Sequence, residues 1–168
     1  MINIRLTNHD DIDNIAKIHC QSWEQAYQNL LPKTYIDANN NLADKAAMWA
    51  QVIPQVNTTT LIAYDEIKRD VGFISYYQKD KQVEFAITTL YILPQNQGKG
   101  VGTALMAAAL QKMRQINPVA LVSLWVLKNN LAAIRFYQRQ GFTVSDEQEV
   151  EIFDLTEIID IKMIKDLS

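Results

Sequence analysis

Cysteine is almost absent from this 168-residue chain: Cys20 is the only one, so no disulfide can form within it. That suits a reducing, cytoplasmic setting. Cys20 lies in an apolar-periodic segment, where a buried thiol is expected rather than a nucleophile. Histidine is nearly as scarce. His9 and His19 stand alone, with no Cys/His cluster at ligand spacing, and no metal is expected. Positive charge is not in excess either, with 16 Lys and Arg against 19 Asp and Glu and a pI of about 5.3. Nothing is basic enough to track a nucleic-acid backbone. There is no N-terminal apolar leader and no long uncharged apolar run, so neither secretion nor membrane insertion is expected. At this length one domain spanning residues 1–168 is the natural reading.

Glycine is also rare, and its placement is informative. Of five glycines, three (Gly98, Gly100 and Gly102) sit on alternate positions. Before them runs the apolar Leu90-Tyr91-Ile92, closed by Pro94. After them comes an alanine- and leucine-rich run with no breaker until Asn117-Pro118. The pattern predicts strand, tight loop, helix. Glycines let backbone N–H groups approach a bound group closely, and the unpaired first turn of the helix favours an anion such as phosphate.

Around this stretch the periodicity predicts a strand over residues 1–6, with Ile2, Ile4 and Leu6 on one face. A capping pair, Asn8 and Asp11, then opens a helix carrying Ile12, Ile15, Ala16 and His19 on one stripe. That helix runs through Tyr27 and stops before Leu31-Pro32. A second helix is expected over 42–52. Strands follow over 58–64, 71–77 and 83–93, with turns at 65–70 and 78–81. The helix after the glycines is so apolar over 104–110 that both of its faces are expected to be covered. The run 120–126 reads as a strand buried on both faces. A helix from Lys128 to a stop at Gly141 and two strands, 143–153 and 158–164, complete the chain.

Three anion loops compete for the glycine segment. A P-loop needs Gly-x-x-x-x-Gly-Lys followed by Ser or Thr, a string that does not occur. A dinucleotide fold needs Gly-x-Gly-x-x-Gly and an acidic residue about 20 positions on; the third glycine is misplaced, and residues 119–126 contain no Asp or Glu. The string Leu90-Tyr91-Ile92-x-Pro94-x-x-Gln97-Gly98-Lys99-Gly100-x-Gly102 instead resembles the Gln/Arg-x-x-Gly-x-Gly/Ala loop of the GCN5-related N-acetyltransferases. A second block, Val126-Leu127-Lys128-Asn129-Asn130-x-x-Ala133-x-x-Phe136-Tyr137-x-x-x-Gly141-Phe142, is similar to the other signature of that family. Ile4-Arg5, Asp11, Ile15 and Ser22-Trp23-x-x-Ala26-Tyr27 resemble a bacterial subgroup.

The resemblance implies an α/β (α+β) acyl-CoA N-acyltransferase fold: a mixed, mostly antiparallel seven-stranded sheet, splayed at its centre, with helices on both faces. It implies acetyl-CoA as co-substrate and a small-molecule or peptide amine as acceptor, by direct transfer in a ternary complex. The loop Gln97, Gly98, Lys99, Gly100, Val101, Gly102 and Thr103 would bind pyrophosphate. Leu90, Tyr91 and Ile92 would align the pantetheine and thioester, and Asn130, Ala133 and Phe136 would flank them. Tyr137 would protonate the leaving thiolate, and Asn130 would either bond the CoA arm or start its helix. Many relatives carry Glu four residues before the leucine, where this chain has Ala86. Glu84, two residues earlier, is the candidate base, directly or through a water. Trp23, Tyr27, Tyr76 and Trp125, with the acidic pair Glu149 and Glu151, are candidates for the acceptor site. A homodimer through the last strands, an acyl donor other than acetyl-CoA, and an idle acyl-CoA-binding module stay open.

Overall fold

The computed structural model describes residues 1–79 and 83–168. The turn expected at 78–81 runs into residues 80–82, outside the described residues. Seven strands form one sheet: β1 (Asn3–Leu6), β2 (Thr58–Tyr64), β3 (Asp70–Lys79), β4 (Glu84–Ile92), β5 (Leu121–Leu127), β6 (Thr143–Phe153) and β7 (Thr156–Asp166). Their order is β1-β2-β3-β4-β5-β7-β6. Only β4 and β5 run parallel; the other neighbours are antiparallel. The expected mixed, splayed sheet is what forms.

Alternation along the strands divides the core into two layers. Leu61, Ile74, Tyr76, Phe85, Val122, Leu124 and Met163 face α4 (Val101–Ile116). Ile62, Phe73 and Tyr91 face α1 (Ile12–Tyr27) and α3 (Leu42–Val52). Asn8 and Asp11 form the expected capping box ahead of α1, and Asp11 also takes both ends of the Arg5 fork at 2.8 Å.

Four expectations are corrected. Leu6 is 57% exposed, because it ends a four-residue strand at the sheet edge. A further helix, α2 (Lys33–Asn39), follows Pro32. It has one buried residue and no side-chain cap, so it leaves no periodic signal. Helix α4 buries one stripe only, Val101, Leu105, Met106, Ala109, Leu110 and Met113; its other alanines look apolar but have little surface to bury. Strand β5 is open on one face, with Leu121 and Trp125 about two-fifths exposed.

The centre of the sheet parts for a local reason. β3 and β4 shift register between Ser75/Tyr76, so that Ser75 faces Thr89 and Tyr76 faces Ile87. Thr88 is the extra residue, its hydroxyl donating to the Ser75 carbonyl at 3.2 Å. Such a bulge bends the strand that carries it. Pairing of β4 with β5 ends at Ile87 and Leu124. Beyond that point the two strands diverge and leave a slot.

Candidate active site

The slot opens into a cavity of about 650 Å³ lined by residues 87–92 of β4, the glycine loop, Leu124–Val126 of β5, and faces of α1 and α5 (Leu131–Arg139). Leu93 N–H donates to Val71 of β3. In an antiparallel ladder alternate residues turn to opposite sides, so Tyr91 and Thr89 bond to β3 while Leu90 and Ile92 present their backbone groups to the slot. The Ile92 carbonyl confirms the phase: it accepts from Ser22 Oγ at 3.1 Å and from Gln97 Nε2 at 3.1 Å. Gln97 also donates to Gln25 Oε1, tying the loop to α1.

At the loop, Gly98 and Gly100 have φ of +72° and +79°, and a Cβ on either would meet nothing within 4 Å. The left-handed backbone, rather than crowding, therefore requires glycine at both. Gly100 caps α4 without any side-chain bond, and the first bond of that turn runs from Ala104 to Gly100. The N–H groups of Val101, Gly102 and Thr103 thus lie free at a helix start that borders the cavity. Gly102 lets α4 meet Phe136 closely, at 3.4 Å from its would-be Cβ. Lys99 stands exposed between the two left-handed glycines and is not part of the cavity wall.

Three phenols from distant parts of the sequence converge here. Tyr27 comes from α1, Tyr91 from β4 and Tyr137 from α5, and all three line the cavity. Burial pushes the Tyr27 phenol up, and Tyr91 draws it partly back. Burial, then Tyr27, holds both Tyr91 and Tyr137 well above the ordinary phenol range. All three are protonated at neutral pH. Tyr137 is braced edge-on by Phe136 and Phe142, at centroid distances of 5.4 and 6.0 Å. Tyr91 lies against the His19 ring at 4.9 Å.

The other sequence candidates divide. Asn130 accepts from Ala133 N–H at 3.2 Å and starts α5, the second of its two expected roles. Ala133, Phe136 and Trp125 line the cavity. Trp23 stands behind Tyr27, at 4.9 Å between centroids, with the Lys45 ammonium 5.0 Å over its ring. Tyr76 is not brought to the site: it is buried in the core on the opposite sheet face, packed edge-on against Phe85. Glu84 is not brought there either. It shares the sheet face of Trp125 but sits where β4 and β5 are still paired, accepting from Ser123 Oγ at 2.7 Å and facing Lys79 Nζ at 3.5 Å. Burial raises its pKa, but Ser123 and the lysines together draw it below the usual glutamate value. Among the described residues no carboxylate lines the cavity, and no group of three His, Cys, Asp or Glu is placed to hold a metal ion. Ser22, Gln25 and Arg139 line it without having been assigned a role from sequence. The Ser22-Trp23 pair was the only hint of the first.

The sequence pattern of the Acetyltransferase (GNAT) family matches residues 14–142. Over 141 residues the chain is 26% identical to an uncharacterised N-acetyltransferase of Bacillus subtilis, YuaI, covering 82% of this chain and 78% of that one. Over 75 residues, 45% of this chain and 49% of the relative, it is 31% identical to the spermine/spermidine N(1)-acetyltransferase of the same species. The structure of the PaiA N-acetyltransferase from Thermoplasma acidophilum, in complex with coenzyme A, superposes with a TM-score of 0.81 over 99% of both chains, at 22% identity.

Proposed function

The chain belongs to the acetyltransferase (GNAT) family, and we propose that it moves the acetyl group of acetyl-CoA to a primary amine by direct transfer in a ternary complex. The observation that carries this reading is the joining of two features in one cavity. A free helix start behind left-handed glycines suits a pyrophosphate, and a splayed strand pair presents the backbone of Leu90 and Ile92. The loop amides of Val101, Gly102 and Thr103 hold the phosphates. The N–H of Ile92 or Leu90 faces the thioester oxygen, an oxyanion contact of the kind worth about 10²–10³ in rate. Tyr137, protonated and pointing into the slot, supplies the proton to the departing sulfur.

The amine must arrive unprotonated, and with no carboxylate on the cavity wall its proton leaves to solvent. kcat/KM is therefore expected to rise about tenfold per pH unit until the pKa of the amine is reached. Glu84→Gln is expected to keep that slope and to stay within about twofold of wild-type rate. A flattened profile in this variant would restore Glu84 as the base.

The acceptor is a small cationic molecule. The likeness of half the chain to a spermine/spermidine acetyltransferase makes aliphatic polyamines the first class to test. Incubation with acetyl-CoA and a panel of amines, following thiol release, tests the function directly. Thermal stabilisation by acetyl-CoA with no release on any amine would mark an acyl-CoA-binding module instead. Gly100→Ala is expected to cost about 1–2 kcal/mol in stability and to weaken acetyl-CoA binding; an unchanged melting point and affinity would remove the loop from the phosphate role. The outer edge of β6 is unpaired among the described residues and is where a homodimer through the C-terminal strands would form.

A further inference from the structure

Among the described residues, five carboxylates are drawn at least partly below the surface: Asp11, Asp65, Asp70, Glu84 and Asp160. Four are matched to a cation, Asp11 and Asp70 to Arg5, Asp65 to Arg69 and Glu84 to Lys79. Asp160 alone has neither a cation nor a hydrogen-bond donor. It sits mid-strand in β7, directly opposite Leu127 of β5 and Glu149 of β6. Its face of the sheet is the one that carries Trp125, whose cross-strand partner is Lys162. The Lys162 ammonium is two residues along but engaged by both oxygens of Glu147 at 3.2 Å. Burial and the charges of Glu149 and Glu151 hold the Asp160 carboxyl above its usual range.

Asp160 is also the one carboxylate whose charge bears on Tyr27, Tyr35 and Tyr91 together. Two of these line the cavity. The third, from α2, donates to Glu151 at 3.0 Å and stacks edge-on against Phe153. The register sets Asp160 diagonal to Trp125, a residue of the cavity wall, with Glu149 opposite and Glu151 two residues further along β6, so the carboxylate flanks the cavity without lining it. A partly buried, unmatched charge beside like charges is unfavourable unless a cation arrives. Carboxylates and aromatic faces together suit an ammonium.

We propose that Asp160 is a specificity-determining residue that binds an ammonium group of the acceptor other than the one acetylated. The distinction follows from acid–base chemistry: an amine held against a carboxylate is kept protonated and cannot attack a thioester. The acceptor class is thus a diamine or polyamine, with the non-reacting ammonium on Asp160 and the strip of Glu149 and Glu151 beyond it. This rests on the acetyltransferase reading and deepens it.

The test compares 1,4-diaminobutane and spermidine with n-butylamine. Wild-type protein is expected to favour the first two in kcat/KM by about 10–100-fold. Asp160→Asn is expected to lose that preference through KM, with the rate on n-butylamine and the affinity for acetyl-CoA unchanged, and Asp160→Glu to restore part of it. Removing an unmatched charge leaves the melting temperature unchanged or raised, so a folding defect is not expected to mask the result. An equal loss on all three amines, or no preference in the wild type, overturns the proposal. Should no amine release thiol, the acetyltransferase reading fails separately. Calorimetric titration of spermidine into the protein with acetyl-CoA then decides the role of Asp160: binding that Asp160→Asn abolishes supports it, and binding that persists, or none in the wild type, overturns it.

Discussion

Tyr137→Phe is expected to lower kcat by about 10²–10⁴-fold, the usual worth of a positioned proton donor, while leaving acetyl-CoA affinity within about twofold. The separation follows from where the two ends of the side chain lie. The ring packs against Phe136 and Phe142 and joins the core that includes Leu124 and Val126, and phenylalanine keeps all of that. Only the hydroxyl is lost. Burial first, then Tyr27, holds its proton well above the phenol range, so it is present at every pH where the protein is used. Consequently the alkaline limb of the pH–rate profile, if there is one, does not belong to Tyr137. The measurement is single-turnover thiol release beside a calorimetric acetyl-CoA titration. An unchanged rate would remove Tyr137 from the chemistry and pass the donor role to Tyr27 or Tyr91, which share the cavity.

That ambiguity shows which parts of the site were legible in the sequence. The glycine loop, the helix behind it and the Asn130 cap are local: spacing, left-handed φ and a capping oxygen are written within about ten residues each. The convergence of Tyr27, Tyr91 and Tyr137 is not, since it depends on three elements meeting. Sequence gave the three tyrosines unrelated roles. The bulge at Thr88 is similarly invisible, because a threonine in a β-rich run carries no mark of being unpaired. It also inverts the alternation that a regular strand would have, so side-chain faces on either side of it had to be seen. Tyr76 and Phe85 share a face by strand pairing, which sends Tyr76 to the core. Asp160 went unnoticed because nothing in a strand of alternating charged and apolar residues says that one acid lacks a partner.

The second large effect concerns acid. His19 is buried, at 6% exposure, and burial, then the Lys45 charge, hold its imidazole down to about 3 from 6.5. The ring accepts from Trp49 Nε1 at Nδ1, 3.1 Å away, a bond that protonation of that nitrogen destroys. The unfolded chain takes the proton near pH 6.5 and the folded chain does not. Stability is therefore fully present above the unfolded value and is lost as pH falls toward the folded one. Each pH unit in that window costs about 1.4 kcal/mol, so acidification from about pH 6.5 to 4.5 is expected to remove ~3 kcal/mol. Asp160 acts with the opposite sign: its raised carboxyl takes a proton first in the folded chain, so the observed loss understates the share of His19. Asp11, held low by Arg5, adds its own loss only below the ordinary carboxylate range. His19→Gln keeps an acceptor for Trp49 and is expected to flatten the urea-unfolding curve of stability against pH between 6.5 and 5; a slope equal to wild type would clear His19. The imidazole that stacks on Tyr91 stays neutral in the folded chain throughout that window, so the wall of the slot keeps its shape while global stability falls.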